Sequence, residues 1–279
     1  HFNTPMSETK EFLDKWYQGY RSDDPEFLEE ILDESVTFSS PVVFKPIEGK
    51  EMTKLYLMGA GITFDMENFR YVREVIEGLD LSNTDTKLLA IVPNLRGAVL
   101  ATAFDKVTYL GYPFSISNTF LQLNIHSDIG KAFDETEKII KLCQNTGKEL
   151  VLYISMAFGN PYGDLWSPEI VYEWTRKLNQ IGVKIIALSD TTGIGNADTI
   201  GDSFSAVINE FPEIEFGAHL HTTPENYLTN IQAAYDQGCR RFDTALNGLG
   251  GCPMSKQKMI GNLKTRDLIA FLESRNIDT

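Results

Sequence analysis

From Lys87 onward the chain repeats one pattern: a short apolar, often β-branched run, then a longer stretch whose apolar positions recur every three or four residues. The runs KLLAIVPN (87–94), KVTYLGYP (106–113), KELVLYISMAFG (148–159), KIIALSD (184–190), EFGAHLH (215–221) and RRFDTALN (240–247) read as six strands. The stretches at 127–147, 167–182, 198–211 and 224–238 carry the helical period. Three of them close on Gly147, Gly182 and Gly238, the residue type favoured just past a helix end. Strands alternating with helices of this length form parallel βα units. The pattern therefore predicts an α/β fold, a TIM-type barrel that is incomplete because only six βα units are legible.

Residues 7–76 follow another pattern. SETKEFLDKWYQGY (7–20) spaces Phe12, Leu13, Trp16, Tyr17 and Tyr20 as an amphipathic helix does. PEFLEEIL (25–32), with Pro25 after Asp24, reads as a second, capped helix. VTFSSPVVFKPIEG (36–49) is β-branched but interrupted by prolines, so it reads as a bent or edge strand. GKEMTKLYLMGAG (49–61) returns to helix, and FRYVREVIEG (69–78) alternates like a strand. The change of pattern divides the chain into residues 1–76, a small α+β segment, and residues 77–279, the barrel, with a fusion point near 75–78.

Candidate chemistry gathers at predicted strand ends, where βα barrels carry their sites. Side chains alternate across a strand, so His219 and His221 project to one side and can share one metal ion, although such a pair more often packs or hydrogen-bonds. The loop GLGGCP (248–253) sets Cys252 among glycines that let the backbone turn tightly, and Asn262 offers a neutral amide oxygen. Asn94 and Tyr162 sit at or just past strand ends and are candidates to line a substrate pocket; Tyr162 fits equally well as an aromatic covering the rim. Asp190, in LSDTTG, is a candidate to orient a metal-bound water or a histidine, or else to cap the following helix. His126 lacks such company and reads as a loop or surface histidine.

Composition narrows the function. At 279 residues and 42% hydrophobic, the chain can bury a core of barrel size. A net charge of −14, with no basic run interleaved with aromatics, excludes nucleic-acid binding and requires a local basic patch for any anionic acyl-CoA. No apolar stretch of membrane-spanning length and no signal-peptide pattern is present, so no membrane partner and a cytoplasmic location are expected. Three cysteines, Cys143, Cys239 and Cys252, form neither an even framework nor a CxxC pair. Cys143, on a helical pattern, and Cys239, just before the last strand, read as packed thiols.

VPNLRG (92–97), YISMAFGNPYG (153–163), ALSDTTGIG (187–195), GAHLHTT (217–223), GLGGCP and GNLKT (261–265) occur in the order found in one family. On these motifs, from about Glu77 to Leu272, the chain resembles the hydroxymethylglutaryl-CoA lyase branch of the metal-dependent TIM-barrel lyases. The resemblance implies a divalent-metal-dependent carbon-carbon lyase that cleaves a 3-hydroxy-acyl-CoA, or a related hydroxy acid, by retro-aldol chemistry. It implies that His219, His221 and Asn262 are ligands to Mg2+ or Mn2+, and that Cys252 is the loop cysteine that assists cleavage. In that family the first strand ends in an Arg-Asp pair that completes the metal site and stabilises the enolate; residues 1–76 show no such pair. FSSPVVFKPIEGKE resembles instead the first half of a SnoaL-like (NTF2-like) fold, without the later strands that would close its sheet. Two other readings follow, an inactive chimeric or degenerate barrel and a small-molecule binding module using the NTF2-like segment. A homo-oligomer stays open.

Overall fold

The computed structural model describes residues 32–35, 37–38, 47–48, 50, 75–125, 127–248 and 260–277. The chain divides into two compact units, His1–Gly78 and Leu79–Thr279. In the first, strand β1 (Thr37–Phe38) pairs antiparallel with β2 (Ile47–Glu48), Thr37 opposite Glu48 and Phe38 opposite Ile47. The described residues of the stretch expected to be one bent strand belong to two short strands, with Pro41 and Pro46, which donate no ladder hydrogen bond, falling between them in sequence. Residues 75–78 are helical where a strand was expected. Val72, Val75, Ile76 and Leu79 recur at three- and four-residue steps, so that segment satisfied both periods. The helices expected at 7–20, 25–32 and 49–61 lie outside the described residues except for Leu32 and Lys50, and His126 and Cys252 lie outside them too.

The second unit is built on six parallel strands in strict chain order: β3 (Leu88–Ile91), β4 (Val107–Ser115), β5 (Glu149–Ser155), β6 (Ile185–Ser189), β7 (Glu215–His219) and β8 (Arg241–Asp243). Each strand lies beside its chain neighbour, the arrangement of successive right-handed βα units, and the curled sheet is that of a TIM-type half-barrel. Within the sheet β3 and β8 are the margins.

Two faces follow from the alternation. Leu110, Tyr112 and Phe114 of β4, Leu152 and Ile154 of β5, and Ile186 and Leu188 of β6 are all buried on the helix side. Phe114 packs at 5.3 Å, tilted, against Trp174 of helix α4 (Pro168–Gln180), which also meets Phe133 of α3 (Ile129–Thr146) at 6.1 Å. Behind β5, Phe158 packs at 5.9 Å on Phe204 of α5 (Ala197–Val207). Asp128, Ser167 and Asn196 cap α3, α4 and α5 by accepting backbone N–H groups of the first turn. Helix α6 (Tyr227–Asp236) follows β7.

On the other face the ladder register lines up one row per level, since paired residues of a parallel ladder share a face. Ser115, Ser155, Ser189, His219 and Asp243 form one row across five strands. Two residues deeper lie Pro113, Tyr153, Ala187, Gly217 and Arg241. The upper row is entirely polar and stands at the carboxyl ends, so the register itself assembles a hydrophilic rim.

Three helices were not anticipated: α1 (Leu95–Thr102), α2 (Asn118–Ile125) and α7 (Thr265–Glu273). The first two are eight residues each, too short for a period to stand out beside the strands they adjoin. No helix among the described residues is long and apolar enough to cross a membrane.

Candidate active site

Strand β7 ends at His219, so His221 belongs to the loop beyond it and not to the strand. The two rings nonetheless stay close, their centres 5.4 Å apart. What replaces the strand is a second connection: His221 pairs with Asn262 in an isolated antiparallel bridge, flanked by hydrogen bonds from Thr222 N–H to Gly261 O (3.0 Å) and from Leu263 N–H to Leu220 O (3.0 Å). Paired residues of such a bridge project to one side, so Asn262 is delivered beside His221 by backbone geometry.

Both imidazoles are anchored through Nδ1. His219 Nδ1 lies 3.1 Å from Asp243 Oδ2, and His221 Nδ1 lies 2.8 Å from the carbonyl oxygen of Ile260. A backbone carbonyl can only accept, so His221 donates its Nδ1 hydrogen, and in the neutral ring Nε2 keeps its lone pair. His221 is 4% exposed. Burial lowers its pKa, with the charge of His219 adding to that and the Ile260 bond opposing it, so the neutral, ligand-competent form is favoured. At Asp243 burial pushes the carboxyl upward, but the hydrogen bond and charge of His219 and the charge of Arg241 outweigh it, and the group ends below its usual range. An ionised carboxylate also only accepts, which gives His219 the same tautomer as His221.

The site is supported from beneath. Arg241 Nη2 lies 3.6 Å from Asp243 Oδ1, and Arg241 Nε 3.6 Å from Glu215 Oε1. Tyr153 meets the His219 ring edge-on at 5.6 Å, and burial together with the Asp243 charge raises its hydroxyl well above the usual range, so it stays protonated. Gly217 makes room for the arginine: a Cβ there would stand 2.8 Å from Arg241 Nη1.

Asp190 accepts loop N–H groups through its carboxylate, which lies within electrostatic reach of His219. Its Oδ1 accepts the N–H groups of Ile194 (3.1 Å) and Gly195 (3.2 Å), while its own N–H donates to His219 O at 2.9 Å. Burial raises its pKa to about 6, against the opposing pull of the N–H groups of Gly195, Ile194 and Gly193. It therefore pins the loop 190–195, and that loop reaches the site indirectly. Gly193 sits at φ +70°, and a Cβ there would come within 2.6 Å of Ile260 Cδ1, the residue whose carbonyl holds His221.

Asn94 spends its carboxamide oxygen on the N–H of Gly97, 2.9 Å away, as the cap of α1. Tyr162 rests half-buried against Phe120 of α2, ring centres 6.4 Å apart. Asp164, two residues past Tyr162, staples that loop to α2 by accepting Ser117 Oγ (2.6 Å), Thr119 N–H (3.0 Å) and Thr119 Oγ1 (2.7 Å). Cys143 and Cys239 are buried, with burial raising their thiols to about 11 and about 12, so they are inert packing groups. Sequence reasoning passed over Asp243 and Arg241, although RRFDTALN places both on one strand face and Asp243 at the strand end.

Among the described residues no cluster of three or more His, Cys, Asp or Glu is arranged to hold a metal ion. The His219 and His221 rings lie side by side, and the backbone bridge sets Asn262 next to His221, so two imidazoles and a carboxamide come from neighbouring positions. That mixed nitrogen and oxygen set suits a cation that takes its further ligands from water or substrate.

Comparison with known proteins matches residues 45–279 to the HMGL-like family. Human mitochondrial hydroxymethylglutaryl-CoA lyase is 35% identical over 191 residues, 68% of this chain and 58% of that protein. The cytoplasmic 3-hydroxy-3-methylglutaryl-CoA lyase of Danio rerio is 31% identical over 207 residues, 74% of this chain and 60% of that one. Among solved structures, an HMG-CoA lyase from Acinetobacter baumannii in complex with coenzyme A and 3-methylmalate superposes with a TM-score of 0.68 at 31% identity, covering 76% of this chain and 68% of that one. The chain spans about three fifths of the length of these curated relatives.

Proposed function

We propose, from the premise that the chain belongs to the HMGL-like family, that it is a divalent-metal-dependent carbon-carbon lyase acting on a 3-hydroxy-acyl-CoA. One observation carries the reading: His219 and His221 each engage a pure acceptor through Nδ1, so each keeps an Nε2 lone pair for a cation. His219, His221 and Asn262 would hold Mg2+ or Mn2+, and the bound ion supplies a Lewis acid that polarises the substrate's hydroxyl and carbonyl oxygens. The chain's own groups do the rest. The β-hydroxyl gives its proton to a base and its oxygen becomes the carbonyl of the departing keto fragment, the Cα–Cβ bond breaks, and that bond's electron pair is left on the thioester as an enolate that a proton must quench. In this reading Cys252, on its glycine loop, delivers that proton. Asp190 keeps loop 190–195 against Ile260 and so keeps His221 in place, while Asn94 and Tyr162 bound the acyl pocket.

The same reading keeps residues 1–76 as a SnoaL-like segment, although the family match opens at residue 45, and a cytoplasmic location, as the name of the Danio rerio relative states for that protein. A second reading, an open and inactive barrel, is favoured by one observation: among the described residues β3 and β8 are each paired on one side only, whereas a TIM barrel closes with eight strands.

Titration with Mn2+ and assay of 3-hydroxy-3-methylglutaryl-CoA cleavage test the proposal. We expect one Mn2+ per chain, binding weakened by more than about 10²-fold in His221→Ala, beyond the upper range for loss of a supporting contact. We expect slow cleavage, about 10² to 10³ below a site that has its full electrostatic complement, because residues 1–76 lack the Arg-Asp pair. Cleavage that is unaffected by His221→Ala, or the absence of Mn2+ binding, would overturn it.

A further inference from the structure

Below the histidine pair lies a polar cluster that the reaction itself does not call for. Arg241, Asp243 and Tyr153 share the inner face of the sheet, Arg241 one row beneath Asp243 on the same strand. Their arrangement is directional. Asp243 gives Oδ2 to His219 Nδ1 and turns Oδ1 toward Arg241 Nη2. Arg241 in turn reaches back to Glu215 and lies along Gly217, where a side chain would displace it. The asymmetry between the two histidines is informative: His221 takes its orientation from a backbone carbonyl, which no side-chain change can remove, whereas His219 takes its own from a side chain.

We infer that Asp243 is a positioning residue for His219, fixing the ring in its Nδ1–H tautomer so that Nε2 is presented as a ligand, and that Arg241 orients the carboxylate that does so. The inference rests on the reading of His219 and His221 as cation ligands for its function, but the tautomer it requires exists without any cation.

Asp243→Asn separates the two. The arginine beside Oδ1 attracts the carboxamide oxygen, which leaves the NH2 group facing His219 Nδ1. An N–H donor there demands a lone pair on Nδ1 and drives the proton to Nε2, closing the ligand position. The experiment uses the full metal-free chain with 15N-labelled histidine, recording the long-range 1H–15N patterns that distinguish the two tautomers. In the wild type both His219 and His221 are expected as Nδ1–H. In Asp243→Asn, His219 is expected to shift to Nε2–H while His221 keeps its pattern, which also reports that the chain is folded. Mn2+ affinity, read by loss of the free-ion EPR signal, should fall about 10- to 100-fold. Asp243→Glu, which restores an acceptor, should return His219 to Nδ1–H.

An Nε2–H pattern for His219 in the wild type overturns the inference, and needs no variant to fold. So does an unchanged His219 tautomer in Asp243→Asn. If the tautomer switches but the wild type binds no Mn2+, Asp243 still positions His219 and it is the lyase reading that falls.

Discussion

All five residues of β6, Ile185–Ser189, are buried, whereas all three residues of β8, Arg241–Asp243, are only half-buried, though both strands belong to one ladder and both end at the same rim. The centre is apolar toward the helices and closed, and its one terminal carboxylate, Asp190, is consumed by loop N–H groups. The β8 margin is charged, and its terminal carboxylate, Asp243, is spent on an imidazole. His219, beside that margin, keeps 32% of its side chain exposed, while Asp190 at the centre keeps 2% of its surface. The sheet thus separates two tasks. Burial in the middle supplies stability and a fixed register, and the fading of burial toward β8 leaves imidazole nitrogen within reach of solutes.

The same substitution at the centre and at the other margin sharpens the comparison most. Ile186→Ala removes a fully buried side chain and should cost about 2 to 5 kcal/mol in urea unfolding. Ile91→Ala, on β3 where the side chain is 54% exposed, should cost less than about 1 kcal/mol. Equal costs would break the contrast and mean that the β3 margin is covered in solution.

A smaller effect separates Asp190 from the histidine side through pH. Its folded pKa, about 6, stands above the ordinary 3.8, so the native chain takes up the proton first. The resulting stabilisation is fully present below about 3.8 and is lost as pH rises through about 6. Urea midpoints should therefore carry a falling component between about pH 3.8 and about pH 6 that Asp190→Asn abolishes. A component that persists in the variant would assign it to another group.

The strands of the second unit were legible because each is a short apolar run bounded by turn residues, and the two histidines drew notice because alternation along a strand would put them on one side, although only His219 proves to lie on the strand. What escaped detection has physical causes. Helix α1 begins directly after Asn94, so its first turn looks like the tail of β3. The segment 72–79 carries two periods at once, and only packing chooses between them. The placement of His221 could not be read from β7 alone, since it depends on a bridge to Asn262, forty-one positions later. Asp243 was hidden for a similar reason: nothing local in RFD reveals that the ladder sets it opposite His219. Asp190 shows the converse. Its position at a strand end was legible, but whether it turned toward metal or loop depended on Gly193 and Gly195 letting the backbone fold back over it.

The central claim is that His219 and His221 present their Nε2 atoms to one cation. Mn2+ bound to the full chain, with histidine labelled in 15N, reports this directly through pulsed-EPR nitrogen couplings. The account predicts two directly coordinated histidine nitrogens, falling to one in His219→Gln and to one in His221→Gln. A single coupled nitrogen in the wild type, or two that survive either substitution, would contradict it.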